Sequence, residues 1–149
     1  MRPKLALGIG NILMGDDGVG VRVIEALQRQ TLPPDVETAD GGMRGADLMD
    51  LIAHRDKVVV VDAVQTDAPP GTVVLLDPDA LPASRTPALS AHDLGVIEAL
   101  HMARALGCAP RVLRIVGIRI ERTGFGVTLS PRVRRAVPSA VRAVLKELA

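Results

Sequence analysis

The sequence predicts one α/β domain, and three observations lead to this prediction. A short apolar run from Leu5 is followed by a glycine-rich loop and then by apolar residues at helical spacing. The continuous β-branched run at 57–64 has the composition of a central parallel strand that is buried on both faces. Apolar residues make up 48% of the 149 residues, which is enough for a sizeable core and too much for disorder.

The first half of the chain alternates between predicted strands and helices. The opening strand leads through the glycine-rich loop to a helix whose apolar face is Val19, Val23, Ile24 and Leu27. A second strand is predicted over 36–40 and is ended by the turn Asp40-Gly41-Gly42. A helix over 46–52, with His54 near its end, leads to the third strand at 57–64.

The second half begins with a fourth strand, over 72–76. No helix separates it from the third strand, so we expect it to run antiparallel to its neighbours. The proline-rich segment 77–89 has no periodicity and is predicted to be a lid or a binding loop. A helix from Ser90 to Gly107, a fifth strand over 111–119 and a last helix starting at Ser130-Pro131 follow. Pro138 is expected to kink or restart that last helix.

Composition argues against several classes of partner. The net charge is +1, which gives no electrostatic basis for binding nucleic acid or an anionic membrane. Phe125 is the only aromatic residue, so stacking platforms for bases are missing. Cys108 is the only cysteine, which suits a reducing compartment, and no apolar segment approaches the ~20 residues that span a membrane. We therefore expect a cytoplasmic protein, and we also expect it to be a monomer.

Two adjacent carboxylates, Asp16 and Asp17, stand at the junction of the first loop and helix. Asp16 is expected to cap or brace the start of the helix, since a carboxylate accepts from the free N–H groups there. Asp17 would then face a ligand, because ligands of open α/β sheets bind beyond the carboxyl ends of strands. A nucleotide is disfavoured: the loop lacks the third glycine of the dinucleotide fingerprint, and its two acids would repel a phosphate.

An acid follows each of the first three predicted strands: Asp17, Asp40 and Asp62. Asp62 interrupts a buried strand, where an ionised carboxylate is costly unless it is paired, hydrogen-bonded or metal-bound. His92 lies in the first turn of the next long helix, where the helix dipole favours the neutral imidazole that binds metals. Asp17, Asp62 and His92 would form an N/O site for a borderline divalent ion. The alternative is structural, with Asp62 capping a neighbouring loop and His92 starting a helix.

Other hydrolytic sites find no support in the sequence. No H-E-x-x-H pair and no G-x-S-x-G elbow occur, and Cys108 has no evident activating base.

The run from Gly8 to Gly20, GIGNILMGDDGVG, resembles the signature of the hydrogenase maturation proteases. These endopeptidases trim the C-terminal tail of a nickel–iron hydrogenase large subunit. Later segments of the family are matched in the same order by Asp40-Gly41-Gly42, 60–63, 90–95, 116–118, Glu121 and Leu129-Ser130-Pro131. The resemblance covers the chain as one domain, 1–149. It implies a three-layer α/β/α fold whose five-stranded sheet is mostly parallel with one antiparallel strand.

The same resemblance assigns roles to individual residues. The implied metal ligands are Asp17, Asp62 and His92, and the two aspartates are also the candidate catalytic residues of a family grouped with aspartic-type endopeptidases. The residues implied to line the site are Asn11, Asp16, Asp40, Gly41 and Gly42. The implied metal is nickel, supplied by the hydrogenase large-subunit precursor, which is the implied partner. Water activated by a carboxylate and water activated by the metal are both open as the attacking species.

Two positions depart from the family pattern. Asp17 stands where some members have the longer Glu, and Ile120 stands before Glu121 where Pro is frequent.

Two other functions stay open at this point. One is a non-catalytic, metal-sensing maturation chaperone on the same fold, and the other is a small-molecule hydrolase or phosphorylase of similar architecture.

Overall fold

The computed structural model describes residues 3–42, 46–80 and 91–149, and it gives no side-chain description for residues 46 and 91–94. The five strands are β1 (Lys4–Ile9), β2 (Val36–Gly42), β3 (Lys57–Val64), β4 (Val73–Leu76) and β5 (Val112–Arg119). The α-helices are α1 (Val19–Gln28), α2 (Met49–Ile52), α3 (Ala91–Ala105) and α4 (Pro131–Leu148). Short 3₁₀ turns cover Gly15–Gly18, Ala46–Leu48 and Pro78–Ala80.

The strands form one sheet in the order β2-β1-β3-β5-β4. Neighbouring strands are parallel except for β4, which runs antiparallel to β5 at the edge of the sheet. The predicted five-stranded sheet with one antiparallel strand is confirmed. The antiparallel direction of β4 follows from its short connection to β3, which leaves no room for a crossover helix.

Helices cover both faces of the sheet, which confirms the three-layer α/β/α fold. Alternate residues of β3 point to opposite faces, as in any strand. Val59 and Val61 belong to the apolar cluster that α1 and α4 complete. Val58 and Val60 belong to a second cluster on the other face, which includes residues of α3. The central position of β3 therefore explains its unbroken β-branched composition.

Three local expectations need correction. Residues 46–52 are not one regular helix but a 3₁₀ turn followed by the single turn of α2, and His54 then adopts a left-handed φ of 61° that turns the chain away. β2 continues through Gly42 instead of ending at the Asp40-Gly41-Gly42 turn. The helix α4 runs as one element through Pro138, so the restart that was one of the two expectations for this residue is wrong.

The remaining expectations concern segment 77–89 and membrane spans. Only the 3₁₀ turn Pro78–Ala80 of that segment is described; residues 81–90 lie outside the described ranges, so the lid stays a prediction. In the part of the chain that the structure describes, no helix combines the length and the apolar character that crossing a membrane requires.

Glycines bring α1 close to the carboxyl end of the sheet. A Cβ atom on Gly20 would lie 2.1 Å from the carbonyl oxygen of Val61 and 2.7 Å from that of Ile9. A Cβ atom on Gly10 would lie 2.1 Å from the carbonyl oxygen of Asp17, and Gly10 also has a φ of 127°. No side chain fits at either position. The glycines of the opening motif therefore fold the loop tightly over the ends of β1 and β3.

The substitution Gly20→Ala tests this close approach. Alanine favours a helix over glycine by about 1 kcal/mol, so a free helical position would be stabilised. At Gly20 we expect the opposite: overpacking should lower the free energy of unfolding by about 1–3 kcal/mol. For a chain of this size that loss lowers the melting temperature by about 5 °C.

Thermal melting measures the effect, with Gln28→Ala on the exposed end of the same helix as the control. We expect the control to change stability by no more than about 0.5 kcal/mol. A stabilised Gly20→Ala variant would show that α1 does not need this contact.

Candidate functional site

The carboxyl ends of β1, β2 and β3 meet at one edge of the sheet. Gly8 of β1 is in register with Asp40 of β2 on one side and with Val61 of β3 on the other. Asp62 is the next residue after Val61. The first three strands are therefore parallel neighbours, and this places Asp40 and Asp62 at the same edge.

Asp17 reaches this edge from the 3₁₀ turn between β1 and α1. Its side chain is half-buried, and Oδ2 accepts a hydrogen bond of 2.8 Å from the backbone N–H of Asn11. The side-chain Oδ1 of Asn11 in turn accepts from the N–H of Leu13, at 2.9 Å. These hydrogen bonds fix the position of the Asp17 carboxylate in the loop at the carboxyl edge of the sheet.

Asp62 is completely buried. Its Oδ1 accepts a hydrogen bond of 2.8 Å from the N–H of Ala63. Along β3, Asp62 alternates in step with Val58 and Val60, which pack on the face that α3 covers. The first turn of α3 contains His92. The backbone therefore brings the His92 position to the side of the sheet on which Asp62 lies.

The predicted metal-ligand set cannot be assembled from described side chains alone. Across the described ranges, no group of three or more His, Cys, Asp or Glu side chains is arranged to hold a metal ion. The side chain of His92 lies outside those ranges, so the set of Asp17, Asp62 and His92 stays a prediction. Two carboxylate oxygens and one imidazole nitrogen are chemically suited to a borderline divalent ion.

The Asp40-Gly41-Gly42 segment is joined directly to the opening motif. Asp40 is exposed, and its Oδ1 accepts a hydrogen bond of 2.7 Å from the N–H of Gly42. Gly42 has a left-handed φ of 55°, and its carbonyl accepts a hydrogen bond of 2.8 Å from the N–H of Gly10. The two glycine-rich segments thus form one continuous rim next to Asp17.

Asp16 does not cap a helix, contrary to one of its two expected roles. Only 1% of Asp16 is exposed, and neither the 3₁₀ turn nor α1 has a side-chain cap at its start. The carboxylate instead accepts hydrogen bonds from the backbone N–H groups of Glu121, Arg122 and Ser130, at 3.0, 3.1 and 2.7 Å. Its Oδ2 also accepts from the hydroxyl of Ser130 at 2.7 Å. Asp16 therefore braces the opening motif against the loop 121–130.

Ser130 occupies the N-cap position of α4, as predicted, but its hydroxyl makes no cap hydrogen bond. The hydroxyl is used by Asp16 instead. A buried carboxylate needs hydrogen-bond donors, whereas the free N–H groups at the start of a helix need acceptors, which water can supply at an exposed helix end.

The pKa of Asp16 reflects two opposed effects. Burial is the largest single influence and raises the pKa of the carboxyl group. The hydrogen bonds from Ser130, Arg122 and Glu121 together outweigh it and hold the pKa of Asp16 below its ordinary value. Asp16 is therefore a carboxylate at neutral pH, and its charge contributes to folding.

Sequence reasoning missed the partners of Asp16. The contacts span 105–114 residues along the chain, and no local spacing reveals them. The only available signal was that Glu121 and Leu129-Ser130-Pro131 occur among the motifs of the family, which gave no indication of what they contact.

The overall structure is similar to those of solved maturation endopeptidases. The hydrogenase maturating endopeptidase HybD from Escherichia coli matches with a TM-score of 0.89 and 37% identity, over 99% of this chain and 92% of that one. The [NiFe] hydrogenase maturation protease HybD from Thermococcus kodakarensis matches with a TM-score of 0.77 and 27% identity, over 98% of each chain. The fold is therefore that of a maturation endopeptidase.

Sequence similarity gives the same result. A family model described as hydrogenase maturation protease matches residues 21–147. The Hydrogenase 2 maturation protease of Escherichia coli (strain K12) is 38% identical over 146 residues, which are 97% of this chain and 89% of that protein. The chain belongs to the hydrogenase maturation protease family. It is a peptidase, and the expectation drawn from its motifs is confirmed.

The variant Asp16→Ala tests the brace. It removes the acceptor of four hydrogen bonds and leaves the buried N–H of Ser130 without its partner. We expect the free energy of unfolding to fall by roughly 3–5 kcal/mol, which is typical of breaking a buried charged network. Thermal melting should show a fall of about 10 °C.

The matched control for this test is Asp40→Ala, because the exposed Asp40 also accepts a backbone N–H. It should cost no more than about 1 kcal/mol. Equal losses in the two variants would contradict the brace.

The lowered pKa of Asp16 predicts a pH dependence of stability. In the unfolded chain the carboxyl group of Asp16 has a pKa of about 3.9, and in the folded protein its pKa is lower. The stabilisation by the carboxylate is therefore complete above the unfolded pKa and is lost as pH falls through the folded pKa.

Urea unfolding at pH 7, 5 and 3 measures this dependence. The difference in unfolding free energy between the wild-type protein and Asp16→Ala should be the same at pH 7 and 5 and smaller at pH 3. A difference that stays constant down to pH 3 would show that the charge of Asp16 is not what stabilises the fold.

Proposed function

We propose that this chain removes the C-terminal extension of a nickel–iron hydrogenase large-subunit precursor after the precursor has received its nickel. The observation that carries the proposal is the position of Asp17, in the turn after β1, and of Asp62, near the carboxyl end of the neighbouring parallel strand β3. Two similar proteins support the substrate class by their names, which are Hydrogenase 2 maturation protease and [NiFe] hydrogenase maturation protease.

In this proposal the nickel ion is part of the substrate. Asp17, Asp62 and His92 would contact it through two carboxylates and one imidazole, a donor set that suits nickel and leaves positions for the precursor's own ligands. We expect the fold not to need a metal of its own, because apolar clusters cover both faces of the sheet. Binding would therefore depend on whether the precursor carries the ion.

The proposed reaction is hydrolysis of one peptide bond. The oxygen of a water molecule attacks the scissile carbonyl carbon, the bond from that carbon to nitrogen breaks, and a proton passes to the leaving amine. Within the chain, the carboxylates of Asp17 and Asp62 are the proposed acceptors of the proton of the water. Activation of the water by the substrate's metal ion is the other route that the chemistry permits.

The variant Asp17→Asn separates this role from stability. Asparagine keeps an oxygen that can accept from the N–H of Asn11, so the melting temperature should change little. It removes the negative charge that a cation requires, and we expect tail release to fall by at least about 100-fold. The assay incubates enzyme with nickel-loaded precursor and detects the released tail by mass spectrometry.

Two controls define the outcome. Asp56→Asn removes a charge at the opposite end of β3 and should process normally. Wild-type protein with nickel-free precursor should release no tail. Normal processing by Asp17→Asn would exclude Asp17 from the site, and wild-type binding of loaded precursor without cleavage would indicate a chaperone instead of a protease.

A further inference from the structure

The only aromatic residue of the chain is almost fully exposed. Phe125 is 95% exposed, and the apolar side chains of Leu13 and Val127 are 56% and 60% exposed. Ile12 adds a smaller exposed area, at 36%. We call these four residues the apolar strip. Single exposed apolar residues are common, but a contiguous exposed apolar patch on a protein surface marks an interaction site.

The strip is held in place by backbone bonds between two loops. The N–H of Gly126 donates to the carbonyl of Leu13 at 3.0 Å, and the N–H of Gly15 donates to the carbonyl of Gly126 at 2.9 Å. The guanidinium of Arg22 donates to the carbonyl of Val127 at 3.2 Å. The buried carboxylate of Asp16 accepts hydrogen bonds from both ends of the second of these loops, residues 121–130. The exposure of Phe125 is therefore a property of a braced structure.

The glycines on either side of Phe125 support this conclusion. Gly124 and Gly126 have φ values of 148° and 150°, which side-chain-bearing residues rarely adopt. A Cβ atom on either glycine would meet nothing within 4 Å, so close packing is not the reason for glycine there. The backbone conformation itself requires glycine, and that conformation presents Phe125 to solvent.

Val127 also lines a groove next to the strip, between α1 and α4. The groove has a volume of about 470 Å³. Its apolar walls include Ala26, Leu129, Val137 and Pro138. Val127 belongs to both the strip and the groove, so the two are adjacent, and the strip begins in the loop that carries Asn11 and Asp17.

The rim of the groove is positively charged. Arg29 and Arg134 are exposed and line it, and neither guanidinium has a hydrogen bond or an ion pair with the described residues. Glu25 is the only acid among the lining residues, and it already pairs with Arg22 at 3.1 Å. An occupant that covers the apolar walls and also neutralises the rim must carry both apolar and acidic side chains.

We propose that the strip and groove form a docking site for an acidic, apolar segment of the precursor polypeptide, outside the residues around the scissile bond. The inference rests on the proposed function and adds a second contact area to the same substrate. Continuity with the Asp17 loop favours this occupant, because a chain bound at the sheet edge can extend directly over Leu13 and Phe125. Charge complementarity defines the chemistry of the segment.

Two variants test the docking site independently. Phe125→Ser removes the exposed aromatic side chain, and the double variant Arg29→Glu/Arg134→Glu reverses the charge of the rim. Each should raise KM for nickel-loaded precursor by about tenfold and leave kcat unchanged, because the contacts are remote from the reacting bond. High salt should reduce the effect of the charge reversal and should not reduce the effect of Phe125→Ser.

The controls match exposure and charge at distant positions. Leu106→Ser alters an apolar residue that is 66% exposed just after α3, and Arg111→Glu reverses an exposed charge at the amino end of β5. Neither should change KM. Melting temperatures of all variants should stay within about 2 °C of wild type, since the substitutions lie on the surface.

The outcomes are distinguishable from failure of the proposed function. Wild-type protein that releases no tail from loaded precursor contradicts the proposed function. Wild-type cleavage with unchanged KM in both test variants contradicts the docking site alone. A wild-type dimer that Phe125→Ser converts to a monomer, with KM unchanged, would show by light scattering that the strip binds a second copy of this chain.

Discussion

The carboxylate of Asp16 connects the opening motif with the loop 121–130 at the edge of the sheet. It is buried and accepts hydrogen bonds from three backbone N–H groups and one hydroxyl, all from residues 121–130. A buried charge is costly unless donors surround it, so the loop 121–130 must adopt the conformation that supplies them. The same bonds hold the opening motif in place. The positions of Asp17, of Phe125 and of the start of α4 all depend on this carboxylate.

Adjacent aspartates thus have different tasks because their surroundings differ. Asp16 is enclosed by hydrogen-bond donors from a distant loop, and all of these donors to its carboxylate lie inside the protein. Asp17 is half-buried at the mouth of the sheet, where its carboxylate remains within reach of a ligand. The close packing at Gly10 and Gly20 determines this division, because it fixes how the loop crosses the ends of β1 and β3.

A protease whose substrate brings its own metal can use that metal to recognise the substrate's state. Under the proposed function, the binding free energy of the ion would be available only when the precursor is loaded, so cleavage would follow metal insertion. A docking surface beside the site would serve a different purpose. It would bind the precursor polypeptide regardless of the metal and raise its local concentration at the carboxylates. The two contact areas would together give selectivity for a loaded precursor over other nickel-containing proteins.

The sequence by itself determined the α/β class, the strands β1, β3 and β5 and the helices α1 and α3. Hydrophobic periodicity and glycine positions are local signals, and these elements express them directly. It also showed an acid near the end of each of the first three predicted strands, and the register of Gly8 with Asp40 and Val61 places Asp40 and Asp62 at one edge of the sheet. The ordered motifs were sufficient to suggest the family.

Only the tertiary structure decided the role of Asp16, the failure of α4 to restart at Pro138 and the exposure of Phe125. Each of these three features depends either on residues more than 100 positions away or on burial against the sheet. Neither kind of dependence leaves a local pattern in the sequence. A carboxylate before a helix is equally compatible with a cap and with a long-range brace. The choice is made by which donors the folded chain brings to it, and that is a property of the packed molecule.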